Sequence, residues 1–120
     1  MSTIALVDDD EGVCQATKSL LRSLGHRVTT FTTAEEFLKS GQLPEISCLI
    51  TDVQMPGMSG IELQAHLKAE GQRTPIIVIT AFPDDRVRDR AMQNGACGFL
   101  TKPFSQEALT ACLDDALKTA

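Results

Sequence analysis

The 120-residue chain has no uninterrupted apolar stretch long enough to cross a bilayer, and no basic opening segment followed by an apolar run. Residence in the cytoplasm, away from membranes, is expected. Basic side chains are also in short supply: 11 Lys and Arg stand against 16 Asp and Glu, a formal net charge of -5. A nucleic-acid surface needs clustered cations that displace counterions, so this balance argues against direct nucleic-acid contact by the domain. The four cysteines, Cys14, Cys48, Cys97 and Cys112, are too widely spaced for a metal clip, and each falls within an apolar pattern. Buried free thiols are expected. No linker, internal repeat or low-complexity segment interrupts the sequence, and a single domain over residues 1–120 is expected.

What the chain does contain is a fivefold alternation of short β-rich runs with helical patterns. The first strand, about Thr3 to Asp8, precedes a helix in which Val13, Ala16, Leu20, Leu21 and Leu24 recur at helical spacing before Gly25. A second run, Arg27 to Phe31, leads to Thr33 and Glu36, a capping box opening a short helix with Phe37 and Leu38 inward. The third strand ends at Asp52; after the turn from Met55 to Gly60, Ser59 and Glu62 cap a helix with Leu63 and Leu67 on one face. The fourth strand ends near Thr80, and its helix runs from Asp84 and Asp85 through Val87, Ala91 and Met92 to Asn94 and Gly95. Cys97 to Leu100 forms the fifth strand, and Leu109, Cys112, Leu113, Ala116 and Leu117 face the core from the last helix. Such alternation with right-handed crossovers predicts an α/β fold with a doubly wound, five-stranded parallel sheet in the order 2-1-3-4-5.

Chemistry gathers at the carboxyl ends of these strands, where open α/β sheets bind ligands. Asp8, Asp9 and Asp10 follow the first apolar run, Asp52 closes the third, Thr80 the fourth, and Lys102 follows the fifth. Parallel strands bring these groups into one crevice. Carboxylates so crowded must raise a pKa, separate or find a cation. Mg2+ suits them, because it accepts one or two carboxylates and completes its shell with water and phosphate oxygens. Lys102 adds a second positive centre, and the whole suits a tetrahedral, doubly charged group.

The run from Leu6 to Asp10, the segment Thr51-Asp52-Val53-Gln54-Met55-Pro56-Gly57-Met58-Ser59-Gly60, the triplet Ile79-Thr80-Ala81 and the closing Lys102-Pro103-Phe104 together resemble the receiver domain of two-component response regulators. The likeness lies in the CheY-like (flavodoxin-like) superfamily, particularly its FixJ-like branch, and spans essentially the whole chain. It implies that Asp52 accepts a phosphoryl group from a phosphohistidine of a sensor histidine kinase. It implies Mg2+ held by Asp8, Asp9, Asp52 and the main-chain carbonyl of Gln54. Lys102 would pair with phosphoryl oxygens, Thr80 would bond the attached phosphate, and Phe99 would be the aromatic switch behind it. The positions of Gln54 and Phe82 are those that tune hydrolysis in the family, and slow to moderate autodephosphorylation is expected. The resemblance further implies a cis Lys102–Pro103 bond, a fourth-helix and fifth-strand surface for output or phosphorylation-dependent homodimerisation that extends to the fifth helix, and control of transcription. FixJ-like receivers commonly precede a helix-turn-helix domain, so the chain is either a stand-alone receiver or part of a longer regulator.

Taken singly, these residues have plainer uses. Asp10 suits a helix cap, Thr80 any strand, Phe99 a core, and Gly57 and Gly60 a backbone turn. Lys102 is harder to dismiss, since a partly buried ammonium group needs an anion. His26 and His66, on a loop and a helix, are expected to carry no chemistry. Two rival readings remain: a haloacid-dehalogenase-like phosphotransferase with Asp8 as nucleophile, and a flavodoxin-like or pseudo-receiver module that takes no phosphate. The first has no residues for a cap over its substrate, and the second lacks the hydroxyl- and glycine-rich loop that flavin binding requires after the first strand.

Overall fold

In the computed structural model, which describes residues 2–118, strands and helices alternate throughout. The order is β1 (Thr3–Val7), α1 (Glu11–Ser23), β2 (Arg27–Phe31), α2 (Ala34–Ser40), β3 (Cys48–Asp52), α3 (Gly60–Ala69), β4 (Ile76–Thr80), α4 (Asp85–Gln93), β5 (Gly98–Thr101) and α5 (Gln106–Lys118). A 3-10 turn at Leu43–Glu45, unforeseen in the sequence, precedes β3. All strands are parallel, in the expected order β2-β1-β3-β4-β5. Termini Met1, Thr119 and Ala120, and with them the outer limits of the expected domain, lie outside the described residues. No described helix is long and apolar enough to cross a membrane.

Successive strand residues point to opposite faces, and both faces of the central strands are covered, so their sequences read as unbroken apolar runs. Ala5, Val7, Leu49 and Val78 pack with Phe37, Leu63, Leu67 and Ala91 in the layer of α2, α3 and α4. Ile4, Leu6, Ile50, Ile77 and Ile79 pack with Cys14, Leu21, Leu109, Leu113 and Ala116 in the layer of α1 and α5. Each fully buried Leu or Ile contributes about 1.5–3 kcal/mol, which makes these two layers the main source of stability. All four cysteines are free thiols, Cys14 and Cys48 buried and Cys97 and Cys112 half-buried. Burial pushes the Cys48 thiol up to about 12.

Several expected details differ. On α1 the buried stripe is Cys14, Thr17 and Leu21, whereas Ala16 is exposed, Leu24 is 36% exposed, and Val13 and Leu20 are half-buried. The Val13, Ala16 and Leu20 row sits about a quarter-turn round the helix and lines the cleft beside Pro103 and Phe104, Leu20 packing also against the α1 and α5 layer. Thr33 caps α2 as expected, accepting from the Glu36 amide, but the Glu36 carboxylate turns to the amide and hydroxyl of Thr32 instead of closing the box on Thr33. Met92 is 49% exposed, since Ala91 is the one fully buried residue of α4. The capping box of Ser59 and Glu62 on α3 is present in full.

Candidate functional site

Register aligns the strand ends. Val7 pairs with Thr51, Asp52 with Ile79, and Thr80 with Thr101, so Asp8, Asp52, Thr80 and Lys102 emerge at one edge of the sheet. Asp8 is fully buried and Asp52 is 5% exposed, while Asp9 is exposed. Lys102 reaches back into this row, its Nζ donating to Asp8 Oδ2 at 2.7 Å and to Asp52 Oδ2 at 3.1 Å. The Lys102–Pro103 peptide bond is cis. Asp10 serves as N-cap of α1, its side chain accepting from the Val13 amide and its own amide donating to Asp8 Oδ1 at 2.9 Å. This second bond fixes the Asp8 carboxylate.

One ammonium group does not balance the three acids Asp8, Asp9 and Asp52. Burial pushes the Asp52 carboxyl above its ordinary value, Asp8 adds to the shift, and the hydrogen bond from Lys102 and the Gln54 amide oppose it without overcoming it. Burial alone would depress Lys102, but its bonds to Asp8 and Asp52 outweigh that and hold the ammonium above its usual value. Asp8, Asp9 and Asp52 each offer a carboxylate oxygen, and these oxygens all lie within 4.8 Å of one another. An all-oxygen donor set with uncompensated negative charge fits a hard divalent cation.

The remaining site residues fall around this centre. Thr80 is buried, and its hydroxyl accepts from the Phe82 amide at 3.0 Å, leaving its own proton free to be donated. Phe82 itself is 67% exposed at the rim, and Gln54 is exposed on the loop after β3. Phe99 is half-buried against the α2–α4 layer, not sealed within it. An open, largely apolar cleft of about 480 Å3 adjoins the site, lined by Val13, Ala16, Leu20, Pro103 and Phe104 and bounded by Asp10 and Lys102.

Two further supports escaped the sequence reading because they act across the fold. Gly60 begins α3 so close to β3 that a Cβ there would overlap the main-chain carbonyl of Asp52. Glu35, on α2, accepts from the Met58 amide in the loop after β3 at 3.1 Å. Neither spacing forms a local pattern.

A parallel sheet with acids, a hydroxyl and a lysine at its carboxyl edge defines a receiver-type signalling module. Residues 4–114 match the family model described as response regulator receiver domain, and the chain belongs to that family. It is 42% identical over 119 residues to the response regulator protein TodT of Pseudomonas putida, covering 99% of this chain and 52% of that protein. It is 40% identical over 119 residues to the transcriptional regulatory protein FixJ of Bradyrhizobium diazoefficiens, covering 98% of this chain and 57% of that protein. The solved structure of the response regulator StyR superposes with a TM-score of 0.89 at 42% identity, covering 99% of this chain and 61% of that one. The chain thus spans about half the length of the curated relatives it matches. Receiver domains bind Mg2+ through acidic residues and take their signal from sensor histidine kinases, and relatives of this chain include transcriptional regulators.

Proposed function

We propose that the chain, as one receiver unit over residues 1–120, accepts a phosphoryl group on Asp52 from a histidine kinase in a Mg2+-dependent reaction. The observation that carries this reading is the Lys102 ammonium bridging Asp8 and Asp52 beside a third carboxylate, with charge left over for a cation. Asp8, Asp9, Asp52 and the main-chain carbonyl of Gln54 would hold Mg2+. When bound, the ion neutralises charge on the phosphoryl oxygens and favours the ionised nucleophile.

Phosphoryl transfer asks mainly for positioning and charge stabilisation, so no general base is needed. A lone pair of the Asp52 carboxylate forms the new O–P bond as the N–P bond of the phosphohistidine breaks, and the departing electron pair returns to the imidazole nitrogen. Lys102 stays beside the acceptor and pairs with the transferred oxygens. Thr80 then donates its hydroxyl proton to the phosphoryl group, and Phe99 follows inward into the space this vacates. The half-buried setting of Phe99 supports such a movement.

The consequence is a shifted α4 and β5 surface, biased toward a partner or a second copy that docks on α4, β5 and α5. Hydrolysis by water ends the signal. Phe82 has no side-chain hydrogen bond to offer an incoming water, whereas Gln54 has, which supports slow to moderate autodephosphorylation. The site belongs in the cytoplasm, and the output is control of a partner or of transcription, the role that the name of the FixJ relative carries.

Intact mass measured after incubation with acetyl phosphate and Mg2+ tests the assignment. The wild-type protein should gain the mass of one phosphoryl group, and Asp52→Asn should gain none. Labelling that survives Asp52→Asn but disappears in Asp8→Asn would transfer the nucleophile to Asp8.

A further inference from the structure

The loop between β3 and α3 carries Gln54, and its anchoring is unequal along its length. At its start Val53 donates its amide to Ile79 O at 3.0 Å, and the Gln54 amide meets the Asp52 carboxylate. At its end Ser59 donates to Glu62 Oε1 at 3.0 Å, within the capping box of α3. Between these points Pro56 has no amide proton to donate, and Gly57 takes a left-handed conformation with φ at 76°. Glu35 Oε2 spans 23 residues of sequence to receive the Met58 amide at 3.1 Å. The loop lies so flat on this carboxylate that a Cβ on Gly57 would sit 2.5 Å from Glu35 Oε2.

An acid in the first turn of α2 also suits the helix dipole. That explanation covers Glu36 equally well, yet Glu36 turns to Thr32 and only Glu35 reaches the loop. The dipole does not require a carboxylate docked on a main-chain amide of another element. We propose that Glu35 is a positioning residue for the cation site. Through the Met58 amide it fixes the Gln54–Met58 loop in the shape that presents the Gln54 carbonyl beside Asp52. The proposal rests on the assignment of Gln54 as a main-chain ligand of Mg2+. Groups that bond a metal ligand directly govern affinity by 10–100-fold; Glu35 acts one step further out, through Met58, so its loss is set at the bottom of that range, about tenfold.

The chain has no tryptophan or tyrosine to report binding, so the test uses amide NMR on isotope-labelled protein. MgCl2 alone is titrated into wild type, Glu35→Ala and Glu35→Gln, with Met58 amide exchange and thermal midpoint recorded for each. Glu35→Ala should bind Mg2+ about tenfold more weakly and exchange its Met58 amide faster, with its thermal midpoint nearly unchanged. Glu35→Gln, which keeps an acceptor oxygen but loses the charge, should recover most of both. A Glu35→Gln protein as impaired as Glu35→Ala would reduce the effect to lost charge and overturn the proposal. Wild-type affinity or an unchanged Met58 exchange rate in Glu35→Ala would overturn it as well. Wild-type protein that takes up no Mg2+ would end this proposal together with the reading of the site, a result distinct from failure in the variants alone.

Discussion

At the scale of single residues, the site is held slightly out of electrostatic balance, and that imbalance has a measurable cost. Asp52 sits in a buried row with Asp8, and its carboxyl is pushed up by burial first and by Asp8 second. The folded protein therefore keeps the Asp52 proton to a higher pH than the unfolded chain does. Stability falls as pH rises from the ordinary carboxylate range through the folded value, and the full penalty is present above it. Asp52→Asn removes the penalty. Without divalent ions at neutral pH, its thermal midpoint should exceed that of the wild type by a few degrees, and the difference should shrink as the medium is acidified. Added Mg2+ should raise the midpoint of the wild type more than that of the variant, because a ligand stabilises whichever fold binds it better. Differential scanning calorimetry across pH, with and without Mg2+, measures all three effects. A variant less stable than wild type at neutral pH without Mg2+ would contradict the charge accounting.

At the scale of elements, local pattern revealed most of what one strand or helix does alone and little of what two do together. The strand ends were legible because Asp8 follows an apolar run directly and Asp52 and Lys102 follow theirs across a single threonine, and parallel register then carries them to one edge. Helical spacing alone does not say which part of the α1 apolar surface the sheet covers: Val13, Ala16 and Leu20 line an open cleft while Cys14, Thr17 and Leu21 are buried. Gly60 illustrates the same limit. Its sequence setting suggested only a turn, but the constraint is the approach of α3 to the main-chain carbonyl of Asp52. Both partners in that overlap are rigid backbone. Gly60→Ala should therefore destabilise the fold by about 1–3 kcal/mol, as forced overpacking does, and should slow phosphorylation of Asp52 in the fraction that folds. Urea unfolding and the acetyl phosphate labelling rate check the two consequences, and an unchanged denaturation midpoint would show that α3 can retreat freely.

At the scale of the whole molecule, the two layers meet different parts of the site. Lys102 leads into the turn packed beside α1, whereas Thr80 opens the connection to α4. The α4 helix is lightly held: Ala91 is its one fully buried residue, Val87 rests partly buried on the same layer, and its carbonyl end is tied to α3 by Gln64 Nε2, which donates to Ala91 O at 2.7 Å. A helix with so little apolar anchoring can shift at small cost, so on the proposed reading a new hydrogen bond at Thr80 would bias its position. Charge uptake at Asp52 and rearrangement at α4 should then be separable. Thr80→Ala keeps the acceptor, the lysine and the acidic cluster, but loses the hydroxyl that now receives the Phe82 amide and would later donate to phosphate. Acetyl phosphate should still label Asp52 in this variant. Beryllofluoride with Mg2+, a stable mimic of the phosphoryl group, should raise self-association of the wild type in sedimentation velocity and leave Thr80→Ala at its resting state. Thr80→Ser, which restores the hydroxyl, should recover part of the response. Full association of Thr80→Ala on addition of beryllofluoride would mean that the signal reaches α4 by a route that bypasses this hydroxyl, and the weakly anchored helix would then have to be coupled to Asp52 through Lys102 and the turn after β5.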